Sequence, residues 1–131
     1  MDNIEITISL IEKFADKHNF DVNIFQHSVA DLRGLNGVPD KYWATFEKTS
    51  GVYLIADPLS TSTKYIGMST KGAGKRMFKW MFEDNKVSRA VSETDTVLSV
   101  VTADHNYMAP ALELYLIQKL DPSVNTVGKT G

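Results

Sequence analysis

The chain has 131 residues and a mass of 14.6 kDa, with 43% hydrophobic residues, 23% charged residues and a net charge of −2. That is enough chain for one domain with its own core, and too apolar for a wholly disordered protein. The absence of cysteine excludes disulfides, zinc–thiolate sites, iron–sulfur clusters and a catalytic thiol. No apolar run approaches the ~20 residues of a membrane helix. The opening MDNIEITISLIEKF lacks the basic start of a secretory signal, so the expectation is a soluble, intracellular protein of the cytoplasm with no membrane contact.

Residues 3–18 read as an amphipathic helix, with Ile4, Ile8, Ile11 and Ala15 on one stripe and Leu10 and Phe14 widening it. Residues 28–34 read as a short helical turn closed by Gly34. Pro39 suits the first turn of another helix, with Tyr42, Trp43 and Phe46 as a core-facing aromatic set. From residue 51 the pattern changes. GVYLIAD (51–57) and KYIGMS (64–69) are strands joined by the turn residues around Pro58. Gly72 and Gly74 mark a loop, and 74–84 form a helix that buries part of its apolar set while offering Lys75, Arg76 and Lys79. TVLSVVTA (96–103) is a third strand. Residues 109–120 are a helix between Pro110 and Pro122, followed by a polar tail. The expected architecture is α/β of the α+β kind: a small three-stranded antiparallel sheet flanked by helices. Residues 1–49 form an N-terminal helical extension packed on a 50–131 core.

Charge is unevenly spread. Residues 64–90 carry seven basic and two acidic residues, a net +5 inside an otherwise acidic chain. Such a segment attracts anions, although charge runs are often only solvated faces. Two further features stand out. With the hairpin tip at residue 59, Tyr53 falls opposite Tyr65, which puts both rings on one sheet face. Glu113 lies at the edge of the apolar stripe formed by Ala109, Leu112, Leu116 and Leu120, with Ile117 one turn on. A carboxylate there is costly to bury without a cation, a metal or a proton. The histidines, at 18, 27 and 105, show no metal-ligand spacing.

The order of these residues resembles the GIY-YIG nuclease family. GVY (51–53) is followed after eleven residues by YIG (65–67), then by Arg76 at a helix start, Glu113 in a later helix, and Pro122 to Asn125 as P-x-x-N. The resemblance spans about residues 50–126. Three departures are visible: Arg76 comes one position later than is common in the family, Met68 stands where many members have lysine, and Trp80 where many have His or Tyr.

The resemblance implies a metal-dependent endonuclease that hydrolyses phosphodiester bonds of nucleic acid, with DNA the expected substrate. In that reading one of Tyr53 and Tyr65 is the general base, and Arg76 holds the phosphate as a planar fork. Glu113 is the ligand of a single Mg²⁺ or Mn²⁺. Lys64, Ser69, Lys71, Lys75, Lys79 and Asn125 are the expected substrate contacts, Asn125 by securing the backbone near the metal. Substrate choice would come from shape, a protein partner or a homodimer. The alternative is a non-catalytic nucleic-acid or protein interaction module that retains the fold.

Overall fold

The structure is a computed structural model that describes residues 3–34, 46, 48–59, 62–102 and 105–125. The expected helix after Pro39 lies outside the described residues, except for Phe46, which is buried. The elements are α1 (Asn3–Lys17), β1 (Asn23–Ser28), α2 (Val29–Leu32), β2 (Gly51–Ala56), β3 (Thr63–Ser69), α3 (Ala73–Phe82), α4 (Lys86–Ala90), β4 (Thr96–Val101) and α5 (Met108–Leu120).

The sheet has four strands, not the expected three, in the order β1-β4-β2-β3, and every pairing is antiparallel. The additional strand is NIFQHS, which carries no strand pattern in the sequence. It pairs with β4 from Asn23↔Val101 to Ser28↔Thr96. As an edge strand it leaves residues on both faces open to solvent, so it lacks the alternation that marks a half-buried strand. β2 is the opposite case: all six of its residues are buried, flanked on both sides by strands.

Helices cover both faces. Ile4, Ile11 and Phe14 of α1 and Leu112 and Leu116 of α5 pack with Val52, Leu54, Ile66 and Val100 on one side. Met77 and Met81 of α3, Val87 of α4 and Val29 of α2 pack with Tyr53, Ile55 and Val97 on the other. The alternation of β2 decides which side chains meet which helix layer.

Local chemistry sets the helix ends. After α1, Asn19 adopts the left-handed conformation at φ 55°. Phe20 N–H then donates to the Ala15 carbonyl and Asn19 N–H to that of Asp16, the paired bonds of a Schellman stop. Ser28 caps α2 by accepting from Asp31 N–H, and the Asp31 carboxylate accepts from Ser28 N–H in return. The start of α3 has no side-chain cap of its own. Instead the Ser69 hydroxyl accepts from the backbone N–H groups of Lys71 and Gly72, and Ala73 N–H donates to the Thr49 carbonyl.

The outer edge of β3 is closed by the segment after α5. Ser123 and Val124 N–H groups donate to the carbonyls of Thr63 and Lys64, at 3.0 and 2.8 Å. Asn125 then grips Ile66 at two points. Its Oδ1 accepts from Ile66 N–H at 2.8 Å and its Nδ2 donates to the Ile66 carbonyl at 2.9 Å. A primary amide here does the pairing of one residue of a neighbouring strand, and it removes the open hydrogen-bonding edge.

Candidate active site

The β2–β3 register differs from the expected one. Tyr53 faces Gly67, and Tyr65 faces Ile55. The pairing shifts between Ile55 and Ala56, which leaves Lys64 as the extra residue of a bulge. Counting from a symmetric tip puts the tyrosines directly opposite each other, whereas they are diagonal neighbours. The displacement is two residues, so the shared face survives. Their ring centroids are 6.2 Å apart, and the Tyr65 ring lies a further 5.9 Å from that of Trp80.

The register also explains two glycines of the motif. A Cβ on Gly67 would lie 2.4 to 2.6 Å from the far end of the Tyr53 ring, so only glycine leaves room for that ring. A Cβ on Gly51 would lie 2.4 Å from the Val100 carbonyl oxygen. Both requirements concern space rather than positive φ.

Tyr53 is fully buried, and its enclosed hydroxyl makes no hydrogen bond of full geometry among the described residues, with Arg76 and Tyr65 within weaker hydrogen-bonding reach. Arg76 and Tyr65 lie near enough to act on it electrostatically. Burial is the largest influence on its acidity and holds it as a phenol far above the ordinary range. Tyr65 adds to that effect, and Arg76 opposes it. Tyr65 is half-buried. Burial raises its pKa too, while Arg76 favours the phenolate and Glu113 disfavours it. A tyrosine that acts as a base near neutrality needs positive charge to draw its pKa down; Arg76 acts in that direction, but burial outweighs it.

α5 packs on the face opposite α3, yet Glu113 and Arg76 line one cavity at the end of β3, with Met68, Ser69 and Thr70. The two side chains reach the end of β3 from its two faces, and Met68, Ser69 and Thr70 line the space between them. The cavity measures roughly 280 Å³. Glu113 is half-buried, and burial raises its pKa above the ordinary 4.5 while Arg76 pulls it down. The Arg76 charge is felt without a formed ion pair between them.

Among the described residues no group of three or more acidic or histidine side chains is gathered as a metal cage. A single carboxylate with no ion-paired cation, beside the hydroxyl-bearing Ser69 and Thr70, nevertheless fits a hard divalent ion that keeps most of its waters. Glu113 is the residue that would hold it.

The remaining expected contacts divide. Lys75 and Lys79 line a larger groove of roughly 630 Å³ along the exposed side of α3, with Ser69, Gly72, Arg76 and Phe78. Lys71 is exposed on the loop before it. Lys64 is elsewhere: its ammonium donates to the buried Asp95 carboxylate at 2.7 Å and to the Ala90 carbonyl at 2.9 Å. That commitment competes with the substrate contact expected of it. Asn125 is occupied by the Ile66 backbone, between Tyr65 and Gly67. Thr70 and the exposed Phe78 join the site without being marked by any motif. For Phe78 the one signal in the sequence is its place in the i, i+3, i+4 set with Lys75 and Lys79.

The chain's structural neighbours are GIY-YIG endonuclease domains. Three solved structures of the GIY-YIG N-terminal endonuclease domain of UvrC from Thermotoga maritima are similar to it: two point mutants bound to the catalytic divalent cation and one form bound to magnesium. The identities are 20%, 21% and 21%, each covering 66% of this chain and 93%, 93% and 94% of the neighbour, with a TM-score of 0.49. No protein-family model and no curated protein matches the chain.

Proposed function

We propose that the protein is a divalent-metal-dependent nuclease that hydrolyses phosphodiester bonds of nucleic acid, with DNA as the expected substrate. The observation that carries this reading is the meeting of Arg76 and Glu113, from opposite helix layers, in one polar cavity beside two tyrosines. An anion-binding guanidinium and a lone carboxylate kept out of ion-pair contact are poorly explained as packing. They suit a site that accepts a phosphate and a cation between them.

In this reading Arg76 takes two phosphoryl oxygens in its planar fork and fixes the phosphorus relative to β3. Tyr65 is the general base, since its half-exposed ring can reach a water that the enclosed Tyr53 hydroxyl cannot. The rings of Tyr53 and Trp80 both pack near that of Tyr65 and help to orient it. When bound at Glu113, Mg²⁺ or Mn²⁺ would supply Lewis-acid charge for the phosphoryl and leaving oxygens. Ser69 and Thr70 line the same cavity and can contact the phosphate.

A second reading, a binding module that retains the fold without turnover, is favoured by Met68 in the cavity and by the enclosed Tyr53 hydroxyl. Plasmid nicking separates the two. The wild type should cleave with Mg²⁺ or Mn²⁺ and not with EDTA, and Glu113→Gln should lose cleavage by orders of magnitude. Cleavage by Glu113→Gln at the wild-type rate would remove Glu113 from the chemistry. Binding without cleavage of any DNA or RNA would leave the module.

A further inference from the structure

We propose that the groove beside α3 is a subsite for the two backbone phosphates next to the cleaved bond on one side only, and that Glu83 closes it to a third. The proposal rests on the nuclease reading and deepens it: the substrate must continue past the cut on the groove side, so a bond at the very end of a strand on that side is a poor substrate.

Ser69 and Arg76 line both this groove and the Glu113 cavity, so the two spaces adjoin. Lys75, Lys79 and Glu83 also line the groove, and all three are exposed. Each follows the last by four positions, which sets them along one side of α3 with about 6 Å of axial rise per step. Glu83 stands just past the last residue of α3, but its N–H still donates to the Lys79 carbonyl at 3.1 Å, so it completes the final turn. Leading away from Arg76, the groove therefore presents two cations and then an anion. Lys79 and Glu83 could pair across that last turn, yet among the described residues no ion pair joins them, and Lys75 forms none either.

The other side of the Glu113 cavity differs. Its lining there is Met68, Thr70 and Glu113 itself, with no cation. Lys64, on the same strand as Met68, is paired with Asp95, and Lys71, on the loop before α3, lines neither space. Charge can thus hold a strand on one side of the cut and not on the other. Backbone phosphates are the groups that such a row of cations takes, whatever the base sequence. With one phosphate at Arg76, the next two along the strand meet Lys75 and Lys79. A third meets the Glu83 carboxylate, and the two negative charges repel.

The test uses wild-type protein with Mg²⁺ and end-labelled DNA that carries one uncharged methylphosphonate linkage at a known position. Cuts should be depleted at that linkage and at the two bonds on one side of it, and not on the other side. Glu83→Lys, which replaces the closing anion by a cation, should lengthen the depleted stretch by one bond. Binding is read separately, without cleavage, in Glu113→Gln protein in EDTA. There Glu83→Lys should steepen the log–log salt dependence by about 0.9, the slope of one further phosphate neutralised, whereas Glu12→Lys, on the exposed side of α1, should not. Thermal melting checks that each of these exposed variants is folded. Depletion confined to the modified bond, depletion equal on both sides, or a pattern and slope unmoved by Glu83→Lys would overturn the subsite while leaving the nuclease reading intact. No cleavage of DNA by the wild type would overturn both.

Discussion

The ring of Tyr53 lies across Gly67 on the neighbouring strand, so closely that a Cβ at residue 67 would come within 2.4 Å of it. One strand of the motif supplies the aromatic and the other supplies the missing side chain. The pair is a single packing unit that holds the Tyr53 hydroxyl near Arg76.

Gly67→Ala should therefore cost about 1–3 kcal/mol, as an overpacked methyl does in a closed site. In a Tyr53→Val background the same substitution should cost much less, because the obstructing ring is gone. Denaturant unfolding of the four proteins measures the difference. An equal cost in both backgrounds would mean that the glycine serves something other than the ring.

Glu113→Gln makes a stability prediction with a defined sign. The folded-state pKa of Glu113 lies above its ordinary 4.5 because of burial. Below pH 4.5 the carboxyl is protonated in the folded and unfolded states alike, so nothing distinguishes it from the amide. As pH rises through the folded pKa, the folded wild type must hold a poorly solvated charge and loses stability. The Gln variant should melt higher than wild type at neutral pH, and this advantage should vanish in acid. Mg²⁺ should raise the melting temperature of the wild type and leave the variant unmoved. A variant less stable at neutral pH would instead identify Glu113 as a structural ion-pair partner.

The lysines should separate into two kinds. Changing Lys71, Lys75 and Lys79 together to Gln should weaken nucleic-acid binding and flatten its salt dependence, by a slope of about 0.9 for each duplex phosphate no longer neutralised. Lys64→Met should leave that slope alone. It strands the buried Asp95 carboxylate, and should cost about 2 kcal/mol of stability or more. Salt titrations and thermal melts of the two proteins check both statements.

If Tyr65 takes the water proton, cleavage should rise with pH well into the alkaline range. Its pKa is held above the ordinary 10.0, so the phenolate is scarce at neutrality. A log–log plot of kcat/KM should climb with unit slope and show no plateau below pH 10.0, at fixed metal concentration. A profile that levels near neutrality would assign the base to another group.

Much of this arrangement is legible in the residues. The apolar content of GVYLIA, the two tyrosines and the stripe of α5 fix the central hairpin and the place of Glu113, since burial selects one face of each element. The hairpin register is not legible, because the bulge at Lys64 breaks the symmetry that a midpoint count assumes. β1 is hidden because Phe25 and Gln26 face solvent on an edge strand, where no alternation is enforced. The destination of Lys64 is hidden for a different reason. A charge sum places a lysine in a segment, but the partner that claims it, Asp95, arrives from 31 residues further along the chain.

The amide grip of Asn125 on Ile66 joins residues 59 positions apart. Closing so long a loop costs more entropy than closing the β2–β3 hairpin, so the clasp is expected to form after α5 has docked and to open before the strands do. Tyr65 and Gly67, on either side of Ile66, would then be held by a late contact. Native-state hydrogen exchange should show this as a cooperative opening in which the amides of Ile66 and Val124 exchange together, below the free energy of global unfolding. The aromatic wall of the site would thus be its most easily loosened part, while the β2 and β4 strands behind it stay closed.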